Sequence, residues 1–371
     1  AGNLIGGNAT QGILVYGDDN TIAANLIGLG VDGTTAIPNG SDGIRLVPGS
    51  NGNLIGNDDP VSSIDAFGTS SISLPVQTWT GIRGLDSGDF LITGTSNAGG
   101  VESGLLYVGP LEGSATGETY AVNFPGSTGT ATSVYGPDDL GNGEVLLVGT
   151  YILAGDTTRY GFSFQGNLDT MADDLANPDN YTTIWNGSPI NFLHSTMGGL
   201  AVGNYVTSDD PTETGRAFVY DLASEAFTEL VFPGSVSNTA YGIWDNGDGS
   251  YTICGGFSQS PVNNVDNPLQ PIGMASLVDY NQLTGTFSNW RGFSYAGSAN
   301  PRTHFQGISS VEKGVYTLAG TALAAGDAKT SGLASVTRAT DGSFGDMTWV
   351  AIEPGPDVTG KPSPATANSV Y

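Results

Sequence analysis

The chain of 371 residues reads as all-β: a short right-handed parallel β-helix stub, then a β-propeller of five repeats with the start of a sixth. Three observations predict this. Short N-L-I-G and G-I-x-L/V strings recur over residues 1–60. From residue 79 on, a longer unit of roughly 45 to 65 residues recurs, the length of four short strands with variable loops. Finally, 57 Gly with abundant Ser, Thr and Asn supply turns and polar strand faces.

In the first region, N-L-I-G recurs at Asn3, Asn25 and Asn53, GILVYG begins at Gly12 and GIRLVPG at Gly43. NTIA at Asn20 and an insertion, VDGTTAIPNGS, lie between them. Aliphatic residues stacked inside and Asn or Gly at tight corners, with three short strands per turn, suit a parallel β-helix. A Gly-rich β meander is the alternative. About two coils are present, too few to bury a continuous core, which predicts further coils ahead of them. The chain opens inside a repeat (AGNLIGG) with no signal peptide ahead of it, which predicts a processed or excised segment whose export signal lies upstream. Asp58, Asp59 and Pro60 end the pattern. The expected layout is β-helix coils over 1–60, a linker or outer propeller strand over 61–78, and the propeller over 79–371.

Each propeller repeat opens with a polar pair, an apolar or small residue, a variable residue and Gly. The instances are TGIRG from Thr80, TSVYG from Thr132, HSTMG from His194, NTAYG from Asn238 and THFQG from Thr303, with NSVY from Asn368 as a sixth. A second strand with a small-Gly ending follows, as in FLITGTS from Phe90 and LAVGNYV from Leu200. Third strands such as YGFSFQG from Tyr160 and variable fourth strands such as TELVFPG from Thr228 complete the unit. Four strands repeated in this way bury their faces only against neighbouring units.

The strings NLIG, HSTMGGLAVGNY, AFVYDL, TAYGIWDNGDGSYTI and ANSVY resemble those of uncharacterised bacterial secreted repeat proteins that combine parallel β-helix coils with propeller-like repeats. The resemblance implies export and the repeat architecture; it implies no activity.

The formal charge is -26, from 10 Lys+Arg against 36 Asp+Glu. Nucleic acid and anionic membranes need a cationic footprint and are excluded as partners. Extracellular glycans, other protein subunits or calcium remain. No apolar run reaches the length of a membrane-spanning helix. The single cysteine, Cys254, sits in the apolar string YTICGGF and reads as a core thiol in a chain without a disulfide.

Innermost strands of a propeller line its channel, so the opening motifs predict a ring: Thr80/Gly81, Thr132/Ser133, His194/Ser195, Asn238/Thr239 and Thr303/His304. Both histidines of the chain fall in it, and Arg83 holds the fourth position of the first motif. Arg83, His194, Asn238, Thr303 and His304 are therefore the candidate ligand-binding residues; satisfaction of channel backbone or water is the competing role. Propeller glycosidases need carboxylates near the axis, and no ring position is Asp or Glu. Asp86, Asp138, Asp139, Asp245 and Glu312 read as hairpin-turn acids. No G-x-S-x-G elbow is present, two histidines and a distant cysteine make a poor zinc site, and the stub's one basic residue, Arg45, argues against a lyase. No cofactor is expected except calcium, for which GDDN at Gly17, NDDP at Asn57, SDDPTET at Ser208 and DNGDGS at Asp245 are the nearest strings. Tyr135, Tyr241, Phe257 and Tyr316 read as packing aromatics, with Trp244 and Trp290 freer to be exposed. The sequence thus predicts an acidic, non-enzymatic, extracellular structural or adhesive module of a surface, matrix or filament protein, able to self-assemble through open strand edges. A carbohydrate-binding propeller is the alternative, and a glycosidase or polysaccharide lyase ranks last.

Overall fold

The computed structural model describes residues 4–17, 20–22, 25–29, 35–47, 54–55, 78–96, 102–111, 117–126, 131–206, 215–259, 273–295, 302–323, 329–352 and 369–370. Residues 61–77 of the linker predicted over 61–78, together with Asn3, Asn53 and the acidic strings at 18–19, 57–59 and 208–214, lie outside them. The chain is all-β with several separate sheets and one short helix. It divides into two compact units, Ala1–Thr69 and Ser70–Tyr371.

The first unit has six very short strands: β1 (Leu4–Ile5), β2 (Ile13–Val15), β3 (Thr21–Ile22), β4 (Leu26–Ile27), β5 (Ile44–Leu46) and β6 (Leu54–Ile55). They pair in parallel as β1 with β4, β2 with β5 and β3 with β6, in the registers Leu4↔Leu26, Ile13↔Ile44 and Thr21↔Leu54. Strands this short leave few ladder bonds, and the side chain of Asn39 adds to them by accepting from the backbone and side-chain nitrogens of Asn8.

In the second unit, five antiparallel groups of four strands follow one another along the chain. The first is β7 (Thr78–Gly84), β8 (Phe90–Ser96), β9 (Ser103–Gly109) and β10 (Glu118–Val122); the second is β11 (Thr132–Gly141), β12 (Glu144–Ile152), β13 (Arg159–Asn167) and β14 (Tyr181–Ile184). The third is β15 (Ile190–Met197), β16 (Leu200–Val206), β17 (Arg216–Asp221) and β18 (Ala226–Leu230); the fourth is β19 (Ser237–Asp245), β20 (Ser250–Ser258), β21 (Gly273–Asn281) and β22 (Thr286–Phe293). The fifth is β23 (Arg302–Glu312), β24 (Val315–Leu323), β25 (Lys329–Arg338) and β26 (Phe344–Ala351). Within each group the strands pair in chain order, and one parallel bridge, Arg159↔Ile190, links the second group to the third. A helix absent from the sequence expectation, α1 (Met171–Ala176), caps the β13–β14 connection, where it buries Met171. Among the described residues no helix is long and apolar enough to cross a membrane.

The core lies between groups rather than within them, which gives the unit its propeller-like character. Leu91 and Leu106 of the first group pack with Val134, Leu147 and Phe162 of the second. Val148 and Ile184 meet Leu193 and Phe218 across the next junction. Val202 and Val219 then meet Ile243 and Ile253, while Leu277 and Cys254 meet Phe305 and Leu318. A buried leucine such as Leu147 contributes about 2 kcal/mol by leaving water, and only because the next group covers it. Burial pushes the Cys254 thiol well above its usual range. Trp244 and Trp290, expected to be freer, instead pack at the edges of these cores. Polar closure accompanies the last junction: Arg338 of β25 forms a bidentate pair with Asp279 of β21 at 2.5 and 2.9 Å and also donates to the Tyr316 hydroxyl.

Candidate functional site

Each group's first strand carries a β-bulge against its second strand. The register shifts fall at Trp79/Gly81, Val134/Pro137, Leu193/Ser195, Ala240/Gly242 and Phe305/Gly307. A bulge leaves one residue unpaired and re-aims its side chain. The residues so placed are Thr80, Tyr135, His194, Tyr241 and Gln306, and all five line one cavity of about 310 Å³.

The bulges correct the repeat register. The first and third motifs read from sequence, TGIRG and HSTMG, are three residues out of register; Thr78-Trp79-Thr80-Gly81 hold positions two to five of the first, and Asn191-Phe192-Leu193-His194-Ser195 hold positions one to five of the third. The third repeat has neither the polar pair nor the glycine at its bulge, so cross-strand pairing and not the string locates it.

Backbone crowding explains the glycines around the bulge. A Cβ on Gly149, Gly203 or Gly255 of the second strands would lie 2.2, 1.9 or 2.0 Å from the carbonyl oxygens of Ser133, Phe192 and Thr239, respectively. On the inner strands, a Cβ on Gly136 would meet Ser195 Cα at 2.9 Å, and one on Gly307 would meet Ser369 Cα at 2.6 Å. Gly136 of the second group therefore approaches Ser195 of the third closely, as Gly307 of the fifth does Ser369. Thr80 Oγ1 and Thr93 Oγ1 tie the first group to the second by donating to the Val134 and Tyr135 carbonyls, each at 2.5 Å.

The five sequence candidates divide accordingly. His194 lines the cavity, is 7% exposed, pairs through Nε2 with Asn204 Oδ1 at 2.8 Å and stacks on Tyr241 at 3.8 Å. His304 also packs against Tyr241, in a T-shaped contact at 4.5 Å, and bonds Thr239 Oγ1 through Nε2 at 2.7 Å. The Nδ1 atoms of both imidazoles are buried and have no hydrogen-bond partner among the described residues. Asn238 and Thr303 do not line the cavity: Asn238 Oδ1 accepts from Phe232 N and Ser235 Oγ, each at 2.9 Å, and Thr303 Oγ1 accepts from Tyr295 N at 2.8 Å. Thr132 accepts from Phe124 N in the same way. The first motif position is thus a pin for the loop arriving from the preceding group, because its side chain points away from the bulge residue's face. Arg83 is buried, donates from Nε to the Pro137 carbonyl at 3.4 Å, lies over the Trp244 ring and lines a small cavity of about 20 Å³ that shares Thr80, His194, Tyr241 and Gln306 with the larger one.

Residues that the sequence reading missed complete the site. Glu102, just ahead of β9, lines the cavity and accepts from Ser133 Oγ at 2.8 Å. Tyr135 and Tyr241, read as packing aromatics, contribute to its wall. Their recurrence in TSVYG and NTAYG at the position before Gly was the available signal. Burial shapes the titration of the site: it holds both imidazoles neutral by lowering them to about 4, and it pushes the Tyr241 phenol up to about 12. At neutral pH the wall therefore presents hydroxyls, an amide, neutral rings and one carboxylate.

Asp138 also departs from expectation. It is a β11 strand residue, 5% exposed, rather than a turn acid. Its carboxylate accepts from Gly198 N at 2.9 Å and lies 4.0 Å from the Arg83 guanidinium. Burial raises its carboxyl above the usual range, against the opposing pull of Arg83. Among the described residues no group of three His, Cys, Asp or Glu side chains converges as a metal site. In DNGDGS, Asp245 Oδ1 accepts from Gly247 N and Asp248 Oδ1 from Ser250, as in ordinary polar turns.

No family model matches the chain, and no curated protein matches it. Several solved structures are similar in shape. They include a hypothetical protein from Leishmania major (12% identity, 73% of this chain and 90% of that one, TM-score 0.39). An exo-1,5-alpha-L-arabinanase from a bovine ruminal metagenomic library matches at 10% identity over 72% of this chain and 95% of that one, TM-score 0.39. An endo-1,4-beta-xylanase from Bacteroides thetaiotaomicron matches at 12% identity over 75% and 96%, TM-score 0.37. These likenesses concern shape and assign no activity. With glycoside-cleaving enzymes among them, the expectation that the chain is not an enzyme is withdrawn. Its physical ground has also gone: the expectation rested on a channel without acids, yet Glu102 lines the cavity and Asp138 lies buried beside Arg83.

Proposed function

We propose that the second unit is an extracellular carbohydrate-binding propeller whose ligand occupies the cavity at the five bulges. The observation that carries this reading is the convergence of Thr80, Tyr135, His194, Tyr241 and Gln306, one residue from each group, on one space of about 310 Å³. Sugars present C–H faces that pack on aromatic rings and hydroxyls that need donors and acceptors together. Tyrosines, threonines, glutamine and a carboxylate supply both. The scaffold or adhesive reading gives this convergence no purpose.

The finer architecture belongs to the same proposal. Inner strands that touch around the two cavities support a channel, with Ser369 and Val370 supplying the inner strand of a sixth blade beside Gly307. In the first unit, three parallel pairings in chain order support two coils of a parallel β-helix.

Titration calorimetry of the full chain against neutral tetrasaccharides tests the reading. Tyr241→Ala is expected to weaken binding at least ~10-fold and Gln306→Ala several-fold, with folding checked by thermal melts. Binding left intact by both substitutions would place the sugar elsewhere and overturn the proposal. Reducing-end release in the same samples would add hydrolysis to it.

A further inference from the structure

We propose that the cavity selects a carbohydrate bearing an ammonium group, an amino sugar, with Glu102 as the residue that sets this preference. The inference rests on the carbohydrate reading above and names its ligand class.

Among the described residues, Glu102 is the one Asp, Glu, Lys or Arg that lines the cavity. Ser133 Oγ donates to Oε1 at 2.8 Å and orients the carboxylate, whose two oxygens offer about four acceptor sites in all. No ion pair involving Glu102 occurs among the described residues. Arg159, whose charge acts on Tyr135 together with that of Glu102, does not line the cavity; it donates to Thr150 Oγ1 and lies over the Phe192 ring at 5.1 Å. Among the described residues, then, no cation pairs with this carboxylate.

The remaining wall favours the same ligand. The face of a tyrosine ring carries negative quadrupole density that attracts a cation, and Tyr135 contributes to the wall. His194 adds no competing positive charge, because burial keeps it neutral down to about pH 4. At longer range, the formal charge of -26 draws cations toward the protein and repels uronic acids. A neutral sugar would satisfy the hydroxyls but leave Glu102 without a counter-charge, and an acidic one would meet it directly.

Calorimetry of the full chain with three tetrasaccharides, of glucosamine, of N-acetylglucosamine and of glucose, tests this at about pH 5.5, with the amine protonated, and about 0.15 M salt. The glucosamine tetramer is expected to bind at least ~10-fold more tightly than its acetylated counterpart. Glu102→Gln should erase that preference, so that the aminated and acetylated tetramers bind the variant within ~2-fold of one another; a thermal melt checks that the variant is folded. Ser133→Ala keeps the charge and should keep the preference. Equal binding of aminated and acetylated tetramers overturns the inference and leaves the carbohydrate reading standing. A preference that survives Glu102→Gln also overturns it, since attraction to the acidic surface as a whole would then be the cause. If no tetramer binds, the carbohydrate reading itself fails.

Discussion

His194 and His304 both pack against Tyr241, and burial lowers both to about 4. A histidine whose folded value is depressed binds its proton more readily in the unfolded chain. Its neutral packing therefore contributes fully above the unfolded value of ~6.5 and is lost as the pH falls toward 4. For the nearly enclosed His194 the loss by pH 4.5 amounts to about 2–3 kcal/mol. Asp138 acts in the opposite sense, because its raised carboxyl takes up a proton earlier in the folded state and relieves a buried charge. Stability measured by denaturant melts is expected to fall between about pH 6.5 and 4.5, with a clearly shallower slope in His194→Gln. An unchanged slope would mean that the imidazole is protonated without cost.

At the scale of the strand, one backbone device recurs. The inner strand bulges, and a glycine on the second strand receives the carbonyl that the bulge displaces. With Cβ atoms placed only 1.9–2.2 Å from carbonyl oxygens at Gly149, Gly203 and Gly255, neither backbone can yield without breaking the ladder that fixes the other. Gly203→Ala is expected to cost more than ~3 kcal/mol, well beyond the usual strand-propensity difference. Gly273, which has no neighbour in reach of a Cβ, should accept alanine within ~0.5 kcal/mol. Denaturant unfolding of the two variants checks the contrast, and equal effects would show that the bulge relaxes. The small-Gly ending that marks the repeat in the sequence is therefore the imprint of the bulge that builds the cavity.

Across the whole molecule, 36 acidic residues face 10 basic ones, and cohesion comes from apolar junctions between successive groups. Most ion pairs among the described residues are exposed; Arg83–Asp138 and Arg338–Asp279 are the more buried ones. Self-repulsion in a compact chain of this charge is screened by salt. Raising NaCl from about 0.01 to about 0.5 M is expected to raise the melting temperature by ~5 °C, followed by scanning calorimetry. A fall in melting temperature would show that surface ion pairs outweigh the repulsion.

The sequence by itself determined the all-β class, the five four-strand groups and the core role of Cys254, because each is written in local patterns: apolar strands, small-Gly endings and turn strings. It also singled out His194 and the Tyr135 and Tyr241 positions, though it gave the tyrosines to packing. Tertiary structure decided the register of the first and third repeats, the loop-pinning roles of Asn238 and Thr303, and the burial of Asp138. The physical reason is that a bulge is a relation between two strands: it moves a side chain to the other face without changing the residues around it. Glu102 came to the cavity in the same way. It lies 31 positions from Ser133 in the chain, a separation that no periodicity within one strand records.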